Sequence, residues 1–181
     1  MTNFMKGMSG HQRSSALSDD WLTPPEIVRE LGPFDLDPCA SCSQAHFEGK
    51  SHAGGIGAMR YCKCDNGLLK PWAGFVWMNP PYGTQIGTWM AMLSNHGTGI
   101  ALVFARTETR WFQRWVLSAE SARGIFFVSG RIRFYRPDGS AGKYTGGAPS
   151  CLVTYGEEAD RRLREFKALA GLYVPLHADS A

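Results

Sequence analysis

Residues 75–82 read Phe75-Val76-Trp77-Met78-Asn79-Pro80-Pro81-Tyr82. The first four are apolar without alternation, the pattern of a short strand buried on both faces. Two successive prolines then restrict the backbone, so the strand ends in a rigid loop. A strand that ends in an acceptor-rich loop with an aromatic ring can hold a flat amino-bearing group. It also places that group's nitrogen in front of an electrophile.

Outward from this stretch, short apolar runs alternate with amphipathic ones. Thr23-Pro24-Pro25-Glu26 opens a helix that Thr23 can cap, with Glu26 completing the box; Ile27, Val28 and Leu31 form its apolar face and Gly32-Pro33 stops it. Phe34-Asp35-Leu36-Asp37 is a short strand ending in Pro38-Cys39-Ala40, and residues 41–66 have no clear period and read as a long connection. A helix is expected over Thr84 to Leu93, with Ile86, Trp89, Met90 and Leu93 at helical spacing. Strands are expected over Gly99 to Ala105, Gly124 to Ser129 and Cys151 to Tyr155, and helices over Glu108 to Ala119 and Glu157 to Ala170. Arg131 to Tyr135 alternates basic and apolar residues, as in a strand with one wet face, and Asp138 to Pro149 is a glycine-rich loop. The alternation predicts an α/β fold with a mostly parallel central sheet and helices on both faces. Ligands in such sheets bind at the carboxyl ends of strands, where Asp37 and Asn79 both fall.

The chain has 181 residues, and a domain of that length buries about 70% of the surface its unfolded chain exposes. Residues 1–18 read as a tail, 19–175 as a single catalytic domain and 176–181 as a second tail. No apolar run approaches the roughly 20 residues of a membrane span. The N-terminus has no apolar h-region, so export is not expected, and the odd count of five cysteines suits reduced thiols in a cytoplasm. The net charge is +3, but residues 101–150 carry eight basic groups against three acids, a local +5 that suits a polyanion such as nucleic acid.

The loop chemistry follows from electronics. An exocyclic amine on a nucleobase is a poor nucleophile because its lone pair is delocalised into the ring. Two acceptors aimed at its N–H bonds pull the nitrogen toward a tetrahedral shape. The side-chain carbonyl of Asn79 and the backbone carbonyl of Pro80 can be those acceptors, set in advance by Pro80 and Pro81. Tyr82 offers a ring for stacking, worth roughly 1–3 kcal/mol per base. An amide nitrogen poses the same problem, so a protein glutamine or an RNA base is an alternative substrate.

Asn79-Pro80-Pro81-Tyr82 after an apolar strand resembles the signature of the S-adenosylmethionine-dependent amino-methyltransferases. The ordered series Trp21-Leu22-Thr23-Pro24-Pro25, Phe34 to Ala40, Asn66-Gly67-Leu68 before Trp72, Asn79 to Gly83, Ala105-Arg106-Thr107 with Trp111-Phe112, and Gly130 to Phe134 is similar to the compact Dam-like DNA N6-adenine methyltransferases of bacteriophages and prophages. That resemblance covers about residues 20–155. It implies a Rossmann-like methyltransferase fold, S-adenosyl-L-methionine as cofactor, DNA as partner and the cytoplasm of a bacterial host as location. It further implies cofactor contacts from Thr23, Pro24, Asp37, Pro38 and Cys39, with Asp37 accepting from the methionine amino group, and from Asp65 near the adenosine. Arg106, Arg131 and Arg133 are implied as phosphate or nucleotide contacts. The wider class carries a glycine-rich loop where this chain has Cys39-Ala40-Ser41-Cys42. With no separate recognition domain, site choice falls to residues 41–66 and 138–149.

Cys39 and Cys42, and Cys62 and Cys64, with His46 and His52 between, have the residue types of a zinc site. Cys-x-Cys is not the usual knuckle, and the resemblance gives Cys39 to the cofactor loop, so no metal is assigned. A zinc-stabilised DNA-binding module without catalysis is the alternative from another class.

Overall fold

The computed structural model describes residues 21–41, 56–62, 64–136, 140–142 and 147–177. Seven strands form one sheet, in spatial order β2 (Gly57–Cys62), β1 (Phe34–Ala40), β3 (Val76–Met78), β4 (Gly99–Phe104), β6 (Ser150–Tyr155), β5 (Ala122–Val128) and β7 (Gly171–Pro175). The fold is α/β, but the sheet is mixed rather than mostly parallel. β2, β1, β3 and β4 are parallel neighbours, whereas β6 is antiparallel to both β4 and β5, and β7 is antiparallel to β5. Helical crossovers do turn β5 into the direction of β4. The departure arises because β6 inserts between those two strands in the opposite sense.

Helices cover both faces, as expected. α1 (Pro25–Leu31) and α4 (Glu157–Glu165) place Ile27, Leu31, Ala159 and Leu163 against Phe34, Trp77, Ile100, Leu102 and Leu152. On the other face α2 (Ile86–His96), α3 (Arg110–Phe112) and the π-helical turn Gln113–Leu117 that continues it place Trp89, Met90, Leu93, Phe112 and Val116 against Leu36, Val76, Met78, Val103 and Val153. The alternation is plain in β4, where Ile100 and Leu102 face one layer and Ala101 and Val103 the other. Each fully buried large apolar side chain contributes roughly 1.5–3 kcal/mol, so two such layers can carry unsatisfied polar groups at the sheet's rim.

Phe34 and Leu36 would share a face in a regular strand, yet they belong to opposite layers. The N–H groups of Asp35 and Leu36 both donate to the Phe75 carbonyl, at 2.8 and 3.3 Å, an irregularity on the β3 side only, since the register with β2 is unbroken from Phe34 to Asp37. Asp35 Oδ2 also accepts the Phe75 N–H at 2.7 Å.

Other differences have local causes. The cap residue of α1 is Pro24, and among the described residues no side chain caps the helix; Thr23 is buried instead. α2 starts at Ile86 and ends at Gly97, whose positive φ of 79° closes the helix through an N–H bond to the Leu93 carbonyl. Strand β2 lies inside the stretch read as a connection; it is an edge strand with Ala58 and Met59 exposed, so it lacks a hydrophobic stripe. α4 is shorter than expected because Phe166 leaves the helix to meet Phe126 edge-on at 5.3 Å, and β7 follows. Arg131 to Tyr135 forms no ladder, only single bridges from Tyr135 to Leu22 and Ala141, although Ile132 and Phe134 are buried and Arg131 and Arg133 exposed as the alternation requires. The N-terminal tail, residues 42–55, and half of the 138–149 loop lie outside the described residues. No helix among the described residues is long and apolar enough to cross a membrane.

Candidate active site

Strand direction gathers the singled-out residues at one rim. Five strands (β2, β1, β3, β4 and β5) end on the same side of the sheet. That rim therefore receives Asp37, Pro38 and Cys39 from β1, Asp65 from the turn after β2 and the loop Asn79–Tyr82 after β3. It also receives Arg106 after β4, and Arg131 and Arg133 after β5. Thr23 and Pro24 come in from outside the sheet. Leu22 exchanges two backbone hydrogen bonds with Tyr135, each 2.9 Å, which ties the start of α1 to the basic segment.

In the loop, Pro80 is buried and Pro81 exposed. The Asn79 amide lies between two hydroxyls. Its Nδ2 donates to Thr23 Oγ1 at 3.4 Å, and its Oδ1 accepts from the Tyr82 hydroxyl at 3.4 Å. The same hydroxyl lies 3.5 Å from the Leu102 carbonyl. Tyr82 is 42% exposed, yet its phenol end is turned inward, and burial raises the phenol's pKa. The Tyr82 ring stacks on Phe104, with centroids 3.9 Å apart and planes at 14°. Among the described residues no hydrogen bond reaches the Pro80 carbonyl.

Asp37 is 5% exposed and accepts the Cys39 N–H at 3.0 Å. Burial raises its pKa from 3.8 to about 7, against the lowering effect of that bond and of Arg60, its register partner on β2. Among the described residues the cation that acts on it is Arg60, from the neighbouring strand. The Cys39 thiol is pushed well above its ordinary range by burial and then by Asp37. Asp65 is an exposed turn residue whose carboxylate accepts the Cys62 N–H at 2.9 Å, a bond that lowers its pKa. Gly67 packs so tightly under β1 that a Cβ there would stand 2.2 Å from the Pro38 carbonyl oxygen. Arg106, Arg131 and Arg133 are exposed, and among the described residues none has an ion pair.

Sequence reasoning missed four contributors: Phe104, the Leu102 carbonyl, Gly67 and Ser150. Ser150 is 2% exposed, faces Phe104 across the β4–β6 ladder, and among the described residues its Oγ has no partner. Only Phe104 and Gly67 leave a signal, an aromatic at the end of an apolar strand and a glycine inside the quoted Asn66-Gly67-Leu68. Of the weighed zinc ligands, Cys42, His46 and His52 lie outside the described residues. Among the described residues no group of three or more His, Cys, Asp or Glu could hold a metal ion. Cys151 is plain core, its thiol pushed up to about 12 by burial.

A family model described as DNA N-6-adenine-methyltransferase (Dam) matches residues 10–167. No curated protein and no solved structure matches the chain.

Proposed function

Because the chain belongs to the DNA N-6-adenine-methyltransferase (Dam) family, we propose that it transfers a methyl group from S-adenosyl-L-methionine to N6 of adenine in DNA. The observation that carries the reading is the place of the Asn79–Tyr82 loop. It sits at the rim between the buried Asp37 carboxyl and three exposed arginines that have no ion pair among the described residues. The catalytic unit is residues 19–175, a Rossmann-like fold, acting in a bacterial cytoplasm where its DNA lies.

The donor set suits the cofactor. Asp37 is a desolvated carboxyl near its titration point, and an ammonium group beside it would restore the charged form. Asp37, Pro38 and Cys39 would hold the methionine part, Thr23 and Pro24 would flank it, and Asp65 would face the adenosine. When bound, the cofactor would supply an electrophilic sulfonium methyl for adenine N6, its sulfur would keep the electron pair of the carbon–sulfur bond, and the nitrogen's extra proton would go to water.

The chain's residues prepare the amine. The base must leave the stack to reach this rim, at a cost of a few kcal/mol in duplex. Asn79 Oδ1 and the Pro80 carbonyl accept its two N–H bonds and favour the charge that grows on nitrogen. The bond from Tyr82 to Oδ1 is long at 3.4 Å, and a carbonyl oxygen has two lone pairs, so it can take a second donor. Phe104 covers one face of Tyr82, and the base stacks on the other. Arg106, Arg131 and Arg133 hold phosphates.

The test is incubation with methyl-labelled cofactor and separate DNA, RNA and protein substrates, followed by nucleoside analysis. Label in N6-methyladenine of DNA is expected. Label confined to RNA or to glutamine, or none at all in a protein that binds the cofactor, would overturn the proposal.

A further inference from the structure

We infer that Thr23 is a positioning residue for Asn79: its hydroxyl holds the amide nitrogen so that Oδ1 is the atom offered to the substrate amine. This rests on the proposed role of Asn79. Thr23 stands where the sequence expects a helix cap, but the cap is Pro24. Its side chain is buried, 1% exposed, and its Oγ1 meets Asn79 Nδ2 at 3.4 Å across 56 positions of chain.

An asparagine amide has two ends of nearly equal shape and opposite chemistry. Turned the wrong way, its NH2 would face the substrate's NH2, and the positive end of its dipole would meet the charge growing on nitrogen. Pinning Nδ2 against Thr23 leaves Oδ1 on the Tyr82 side of the loop. Thr23 cannot drift, because Leu22 before it is fixed by two bonds to Tyr135, and Pro24 after it begins α1.

The experiment compares full-length Thr23→Val and Thr23→Ser in single-turnover methyl transfer, with cofactor and DNA affinities and unfolding midpoints measured alongside. Thr23→Val keeps the shape without the hydroxyl, and is expected to slow transfer by about 10-fold or more at saturation. DNA affinity should change by less than about threefold, the loss of rate should persist at saturating cofactor whatever Thr23→Val does to cofactor affinity, and Thr23→Ser should restore the rate. A decisive arm repeats Thr23→Val in an Asn79→Asp background. A carboxylate has two like oxygens and no orientation to lose, so the valine should cost less than about threefold there. If the valine costs as much in that background as alone, or if its effect lies in cofactor affinity with the saturated rate intact, the inference is overturned. If Thr23→Val does not fold, the Asn79→Asp comparison is made with Thr23→Ala, with the same two outcomes. Failure of the Asn79 reading itself would appear separately, as normal turnover in Asn79→Ala.

Discussion

Asp160 and Asp37 are both buried carboxyls on the same sheet, at opposite rims. Asp160, 8% exposed at the start of α4, accepts from Tyr173 at 2.6 Å, Arg164 at 2.8 Å and Thr154 at 3.2 Å. Asp37 has one backbone donor at 3.0 Å. The contrast extends along each rim. The four ion pairs found among the described residues all lie within α4. Arg162 there also donates to the Leu31 and Pro33 carbonyls and lies 4.3 Å over the Phe75 ring. At the other rim, Asn79 is held by bonds of 3.4 Å, and among the described residues Ser150 Oγ has no partner and Arg106, Arg131 and Arg133 have no acids. The α4 rim carries the charge pairs, although Arg123 Nε at the start of β5 has no partner among the described residues. The other holds loosely bonded polar groups beside exposed cations, which supports its reading as the working side.

Substitutions can separate the two rims. The largest effect is expected from Asn79→Ala, which should cut methyl transfer at least about 100- to 1,000-fold while cofactor binding and the unfolding midpoint stay near wild type. Turnover at the wild-type rate would erase the distinction. The mirror change, Asp160→Ala, strips partners from Arg164, Tyr173 and Thr154 and should cost about 2–4 kcal/mol in urea unfolding. Its turnover per folded molecule should be unchanged, and a loss of under half a kcal/mol would show that the α4 rim does not hold the fold.

Asp37 sharpens the contrast through pH. Its pKa rises from 3.8 to about 7 on folding, so the neutral form is favoured in the ligand-free protein. Relative to an asparagine, its contribution is fully present below pH 4, falls as pH rises through 7 and stays lost above. Asp37→Asn should therefore stabilise the ligand-free protein at pH 8 by on the order of 3 kcal/mol and weaken cofactor binding. A difference in stability that stays flat from pH 4 to pH 8 would remove the linkage. The smallest effects belong to the arginines: Arg131→Ala or Arg133→Ala should lower the slope of log affinity for DNA against log salt by about 1 each, with unfolding unaltered. A salt slope equal to wild type would take those residues off the phosphate path.

The parts of the molecule legible in the sequence are those with strong local patterns. The runs at 75–78, 99–104 and 151–155 are solidly apolar and became β3, β4 and β6. The Asn79 loop could be placed because prolines end a strand wherever it lies. Two strands went unseen because edge strands need no buried stripe, and β2 and β7 expose Met59 and Leu172. The insertion of β6 between β4 and β5 has no local signature, since direction is set by which neighbour a strand pairs with. The same limit hid Ser150 and Phe104, which meet only through the β4–β6 register. Thr23 was read as a cap because the local motif is sufficient for one; its partner is 56 residues away.

The doubled donation onto the Phe75 carbonyl lets Phe34 and Leu36 reach opposite layers with a residue between them. Deleting Asp35 would make the two neighbours, which alternate in a regular strand, so each would keep its layer. What the deletion would remove is the carboxylate that accepts the Phe75 N–H at 2.7 Å. The kink thus ties the strand's start to the residue that leads into the proline loop.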